Sequence, residues 1–177
     1  MLNDSVWLMI DINLYAQFIS PSLQPKSAFL PVGAISVFTD SKRRTWLGTA
    51  YGLKLIDPAS HFGESIQYLP LPPEFDLPIL RQSYVTDIME DGRGNMWMGT
   101  SNGLVRIDKN GSSRVYSLQD GLPSPFVNCL REDIQHNIWV GTQLGWARLP
   151  MNNEVSSYNL DLGFAYELGN AVFLISR

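Results

Sequence analysis

Any chemistry in this chain has to come from a short roster of side chains. Histidine occurs twice, at His61 and His136, and cysteine once, at Cys129. A metal centre needs several such ligands converging. No His-x-x-x-His pair or His/Asp cluster occurs, so neither a metal nor a cofactor is expected. The aspartates Asp40, Asp91 and Asp133 each stand six residues before a tryptophan. That placement suits a carboxylate bonding to its own turn better than acid–base catalysis. Cys129 alternates with Val127 and reads as a buried small hydrophobe rather than a reactive thiol. Better suited to binding are Tyr51, Arg81, Gln82, Tyr84, Ser101, Asn102, Asp120 and Gln143. They fall in connections between apolar runs, where phenol rings, amides and a guanidinium can stack on and bond to a polar ligand such as a sugar. The chemistry on offer is recognition, and no enzymatic activity is expected.

The elements that must carry those residues recur. Tryptophans at 7, 46, 97 and 139 are separated by 39, 51 and 42 residues, a period in the range of repeat architectures. Registered on Trp46, Trp97 and Trp139, an aspartate precedes each by six residues and a glycine (Gly52, Gly103, Gly145) follows each by six. Apolar residues precede by twelve (Ala34, Val85, Val127) and by nine (Val37, Ile88, Leu130). Within each unit, short alternating runs bounded by turn residues predict four strands. In the first full copy these are 34–38, 45–48, 53–57 and 66–69. In the second they are 85–89, 96–99, 104–107 and 114–118, and in the third 127–130, 138–141, 145–149 and 155–160. Weaker runs predict strands at 7–9, 14–19, 28–30 and 171–175. Residues 70–78 hold Pro70, Pro72, Pro73 and Pro78, and are expected to be an irregular insertion without strand or helix.

Composition narrows the class. Apolar residues make up 45% and charged residues 17% of the 177, which fits a globular chain. A net charge of −4 offers no basic footprint, so no nucleic-acid partner is expected. Lys42-Arg43-Arg44 reads as solvated edge charge. No apolar run nears the roughly twenty residues of a membrane span, and the first residues do not form a signal peptide. No membrane contact is expected within this segment.

A four-stranded sheet that repeats cannot bury both faces alone, whereas sheets stacked around an axis can. The expectation is therefore an all-β fold, a β-propeller of four-stranded antiparallel blades, with about four blades' worth of chain. Blade portions are placed at about 1–31, 32–78, 79–124 and 125–168, with a final strand at 169–177. The ring is expected to be part of a larger one or to be completed by an oligomer, with a homodimer as one form. Each tryptophan fills the gap to a neighbouring blade, and each repeat glycine takes a turn conformation with positive φ.

The motif Val-x-x-Ile-x-x-Asp-x-x-Gly-x-x-Trp-x-Gly-Thr-x-x-Gly-Leu, complete from Val85 to Leu104 and followed by Asp120-Gly121-Leu122-Pro123, resembles the two-component regulator propeller repeat. The third copy departs in His136 and Trp146, where glycine and leucine are usual, and the first in Arg43 and Ala34. The resemblance implies the sensor region of a bacterial hybrid two-component histidine kinase, on the periplasmic side. A small molecule or glycan would be its ligand and other domains of the same sensor its partners. The alternatives are a protein-interaction or dimerisation module and an enzyme similar to virginiamycin B lyase. By register, the ligand face would gather 49–51, 100–102 and 142–144 with 81–84, 120–124 and 161–167. His61 and His136 would lie on the opposite face.

Overall fold

The computed structural model describes residues 33–59 and 66–150, with the strand backbones of 7–10, 16–19 and 156–159. Strands β1 (Trp7–Ile10) and β2 (Ala16–Ile19) form an antiparallel pair, with Trp7 opposite Ile19. Three four-stranded antiparallel sheets follow. Blade 1 comprises β3 (Ala34–Thr39), β4 (Thr45–Thr49), β5 (Gly52–Ile56) and β6 (Tyr68–Leu69). Blade 2 comprises β7 (Val85–Glu90), β8 (Met96–Thr100), β9 (Gly103–Ile107) and β10 (Ser113–Tyr116). Blade 3 comprises β11 (Val127–Glu132), β12 (Ile138–Thr142), β13 (Gly145–Leu149) and β14 (Ser156–Asn159). Strand order follows chain order in each sheet, and β7 packs between β3 and β11. The fold is all-β, a run of β-propeller blades with their first strands adjacent.

The blades meet through two apolar wedges. Trp46, Leu53 and Leu55 of blade 1 pack with Val85, Ile88, Met96, Met98, Val105 and Ile107 of blade 2. Trp97, Leu104 and Tyr116 of blade 2 pack with Val127, Leu130, Ile138, Val140, Ala147 and Leu149 of blade 3. Burial of this kind contributes about 25 cal/mol per Å² of apolar surface, so the interfaces, not the single sheets, hold the arc together. The glycine two residues after each of the first two repeat tryptophans makes room for the approach. A Cβ on Gly48 would collide with Ser36 Oγ and the Val85 carbonyl oxygen, and one on Gly99 would lie 2.7 Å from Val127 Cγ1. Each first strand also carries a bulge at the same place, between Ala34 and Ser36, Val85 and Asp87, and Val127 and Cys129.

The proline-rich stretch departs from expectation. Residues Pro73–Phe75 make a 3-10 turn and α1 (Pro78–Gln82) is a short α-helix with proline at its first position. Proline suits that position because its φ is already helical and its missing N–H has no partner to lose. The segment is a wedge. Phe75 stacks on Trp46 at 4.3 Å between centroids, and Leu80 is fully buried in the same cluster. The strand expected over 114–118 ends at Tyr116, because Ser117 caps a 3-10 turn at Leu118–Asp120. The strand expected over 66–69 is only Tyr68–Leu69. The strands expected at 28–30 and 171–175, the loop 161–167 and His61 lie outside the described residues.

Candidate functional site

The repeat's most reactive-looking residues are tied into architecture. Asp91 Oδ1 accepts from the backbone N–H of Arg93 at 3.0 Å and of Asn95 at 2.9 Å. Its Oδ2 accepts from Asn95 Nδ2 and from the Trp97 indole, both at 2.8 Å. Asp133 repeats this with Gln135, Asn137 and Trp139, and Asp40 with Lys42, Arg44 and Trp46. Burial pushes each carboxyl up, but the indole and backbone donors, joined by the Arg44 guanidinium at Asp40 and by the Asn95 and Asn137 amides at the other two, outweigh it and hold all three below the ordinary value. A carboxylate so saturated cannot act as a base. Arg44 is not solvated edge charge: it donates to Asp40 at 2.7 Å and lies 4.8 Å over the Trp46 ring. It replaces the asparagine of the other two copies, and Leu55 stands opposite Trp46 where Arg106 and Arg148 face Trp97 and Trp139. At the far turns Gly52, Gly103 and Gly145 have φ of 96°, 135° and 149°.

Those far turns meet the connections between blades. The N–H groups of Ala50, Ser101 and Gln143 donate to the carbonyls of Gly33, Tyr84 and Phe126 at 2.8, 3.0 and 3.1 Å. One rim of each blade therefore joins a turn residue to the residue that opens the first strand. Tyr84 N–H also donates to Ser101 Oγ at 3.2 Å, and Asn102 Nδ2 to Ser83 Oγ at 2.9 Å. This brings Tyr84, Ser101 and Asn102 together. Tyr51 and Tyr84 are 65% and 50% exposed, and Asn102 and Gln143, in the equivalent turns of blades 2 and 3, are exposed as well. The turn carrying Tyr51 packs beneath the end of α1, where a Cβ on Gly52 would lie 2.7 Å from the Arg81 carbonyl oxygen. Arg81 and Gln82 are exposed and sit on α1 rather than in a loop. Arg81 pairs with Asp76. Asp120 turns to its own capping box, accepting from the Ser117 backbone at 2.9 Å with Arg114 3.5 Å away. The Ser117 backbone N–H is the largest influence holding that carboxyl below its ordinary value.

One rim residue, Phe126, escaped the sequence reading, while Leu144 lies within the expected 142–144 turn. Phe126 occupies the place of Tyr84 one blade on, and Leu144, 49% exposed, that of Asn102. Register on the tryptophans finds both, thirteen residues before and five after Trp139. On the opposite rim His136 Nδ1 lies 2.7 Å from Glu132 Oε1, while Glu132 Oε2 accepts from Gly92 N–H of blade 2 at 2.8 Å. Glu90 takes the same role one blade earlier, accepting from Ser41 N–H at 2.7 Å. Cys129 is half-buried rather than buried, and burial pushes its thiol up, which disfavours the reactive thiolate. Among the described residues no three His, Cys, Asp or Glu side chains group as metal ligands, and no helix is long and apolar enough to cross a membrane.

The two component regulator propeller family model matches residues 79–102 and 121–143. Each match includes a blade-opening strand and the Asp-to-Trp turn. No protein with curated annotation matches the chain in sequence. Among solved structures, it is similar to the extracellular domain of what is described as a hybrid two component system from B. thetaiotaomicron. That likeness has a TM-score of 0.63 at 19% identity and covers 87% of this chain and 23% of that one. An extracellular domain described as that of a one component system from the same organism gives 0.58 at 17% identity, covering 88% and 21%. Virginiamycin B lyase from Staphylococcus aureus gives 0.55 at 14% identity, covering 89% and 56%. The chain thus spans under a quarter of the length of the sensor domains it resembles. The two matched segments lie in blades 2 and 3, and blade 1 repeats their turns and their aspartate–tryptophan clip in register.

Proposed function

We propose that this chain is part of the extracytoplasmic, ligand-sensing propeller of a two-component sensor, and that it is not itself catalytic. The observation that carries the reading is the division of labour between the two ends of each blade. At the clip end the aspartates are fully used in holding tryptophans. At the other rim Tyr51, Tyr84, Asn102 and Gln143 are exposed and differ from blade to blade, as a surface selected for a particular ligand would. Family and fold likeness to extracellular sensor domains supports the same setting, with the periplasmic side of a membrane-anchored sensor as its location. A small molecule or glycan is the ligand, and further domains of the sensor are the partners that receive the signal.

The test is a thermal-shift screen of the chain against a broad panel of small solutes, sugars included. At least one class raises Tm, and Tyr84→Ala with Asn102→Ala removes the shift. A panel without any shift rejects direct sensing.

A specific observation favours a second role beside the first. Trp46 and Trp97 are 0% and 4% exposed beneath the next blade. Trp139 is only half-buried, Trp146 beside it likewise, and Ile134 is 91% exposed. Blade 3 thus presents an interface built like the two inside the arc, suited to a further blade of the sensor or to a second copy.

A further inference from the structure

Between blades 2 and 3, at the end of the sheets opposite the tyrosine rim, a recess of about 60 Å³ opens beside the Trp97 clip. A water takes about 10–15 Å³ on that scale, so the space suits a molecule of a few heavy atoms. Its walls divide by chemistry. Arg93, Arg106 and His136 supply nitrogen donors, while Ile138, Leu149 and Pro150 form an apolar side. Asp91, the one acidic residue lining it among the described residues, already accepts from Arg93, Asn95 and Trp97.

The blade plan asks for none of the three donors. Counted from the clip aspartate, Arg93 answers to Lys42 in blade 1 and Gln135 in blade 3. Counted from the tryptophan, Arg106 answers to Leu55 in blade 1. His136 answers to Arg43 and Gly94, and φ there is positive in all three, at 62°, 62° and 80°. Glycine fills that region most easily, so the turn itself calls for no imidazole. Yet the ring is held. Its Nδ1 lies 2.7 Å from Glu132 Oε1, and a Cβ on Gly92 would lie 3.2 Å from its Cε1, which seats it across the seam between the blades. A carboxylate only accepts, so Nδ1 carries the hydrogen and Nε2 is left for a ligand. Arg106 lies 5.5 Å over the Trp97 ring. Arg93 is exposed, and its guanidinium enters none of the ion pairs among the described residues.

We propose that this recess binds a small organic acid. The carboxylate sits at Arg93, Arg106 and His136, where guanidinium and imidazole groups form charge-assisted bonds to it. The short carbon chain covers Ile138, Leu149 and Pro150 and removes that apolar side from water. An inorganic oxyanion offers the apolar side nothing, and a neutral solute offers the guanidiniums no charge. Arg93 and Arg106 belong to blade 2, and His136, Ile138 and Leu149 to blade 3. The bound acid therefore bridges the seam, at a place separate from the ligand rim.

Titration of the isotope-labelled chain with butyrate, followed by NMR at the Trp97 indole N–H, tests this. Butyrate shifts that signal saturably, butyramide leaves it in place, and inorganic phosphate binds about tenfold more weakly or worse. Arg93→Ala weakens butyrate binding about tenfold or more, as loss of a charge-assisted bond does. Arg93 reaches the clip through its backbone N–H, so the variant's indole signal without ligand stays where it was and reports an intact clip. No saturable shift with butyrate, an equal shift with butyramide, phosphate binding as tight as butyrate, or full affinity in the variant each overturns the proposal.

Discussion

Asp40, Asp91 and Asp133 engage both carboxylate oxygens, one with backbone donors of the turn and one with an indole N–H. Because their folded-state carboxyls sit below the ordinary value of 3.8, the unfolded chain takes up protons first as pH falls. Their stabilisation is complete above that value and is lost as pH drops through the folded ones. Asp91→Asn removes charge-assisted bonds from a buried site and costs about 1.5–3 kcal/mol at neutral pH. That deficit shrinks in acid, where the wild type loses the same interaction. Asp87 behaves in the opposite sense. Burial pushes its carboxyl up, more than the Leu130 N–H at 2.8 Å and Arg131 pull it down. It therefore weakens the fold as pH rises from 3.8 through its folded value. Asp87→Asn gains on the wild type over that window, since its carbonyl still accepts from Leu130. Urea denaturation of both variants between about pH 3 and 7 reads the two slopes. Parallel slopes would contradict the clip assignment.

At the level of strands and turns, the hairpins were legible because alternation and turn residues agree locally. Asp91, Gly94 and Gly103 each meet a requirement within a few residues of themselves. The covering of each tryptophan was not legible, because its second aromatic comes from a different element every time. Phe75 of the wedge covers Trp46, Tyr116 of β10 covers Trp97, and Trp146 of β13 tilts against Trp139. No spacing rule links 75, 116 and 146. Four prolines similarly hid α1, since proline at a first helical position reads the same as proline in a loop. Phe126 was missed for a related reason: the shared rim position is held by a glycine in blade 1 and its ring by Tyr51. Two substitutions measure these contributions. Phe75→Ala empties a buried stack and lowers stability by about 3–5 kcal/mol. Gly99→Ala drives a methyl toward Val127 and costs about 1–3 kcal/mol. An insertion without structural weight would show no effect for the first. A glycine kept only for its turn would tolerate the second.

For the arc as a whole, stability resides in interfaces, so each blade depends on how many neighbours it has. Solenoid-like arrays behave as nearest-neighbour chains in which an inner unit is held from both sides. Blade 2 has blade 1 on one face and blade 3 on the other. Its second strand, β8, is buried at all five positions, whereas the equivalent β12 of blade 3 is buried at Ile138, Val140 and Thr142 only. The outer strand β10 is exposed at Ser113, Arg114 and Val115, and its outer edge has no partner among the described strands. Backbone amides open with free energies that follow this grading. Native-state hydrogen exchange should therefore find the slowest amides in β8, faster ones in β12, and the fastest of the three in β10. Covering blade 3, by a further blade or a second copy, would move β12 towards β8 and leave β10 where it is. If β12 already exchanges as slowly as β8 in dilute solution, the face of blade 3 holding Trp139 and Ile134 is already covered and the interface proposed there is lost.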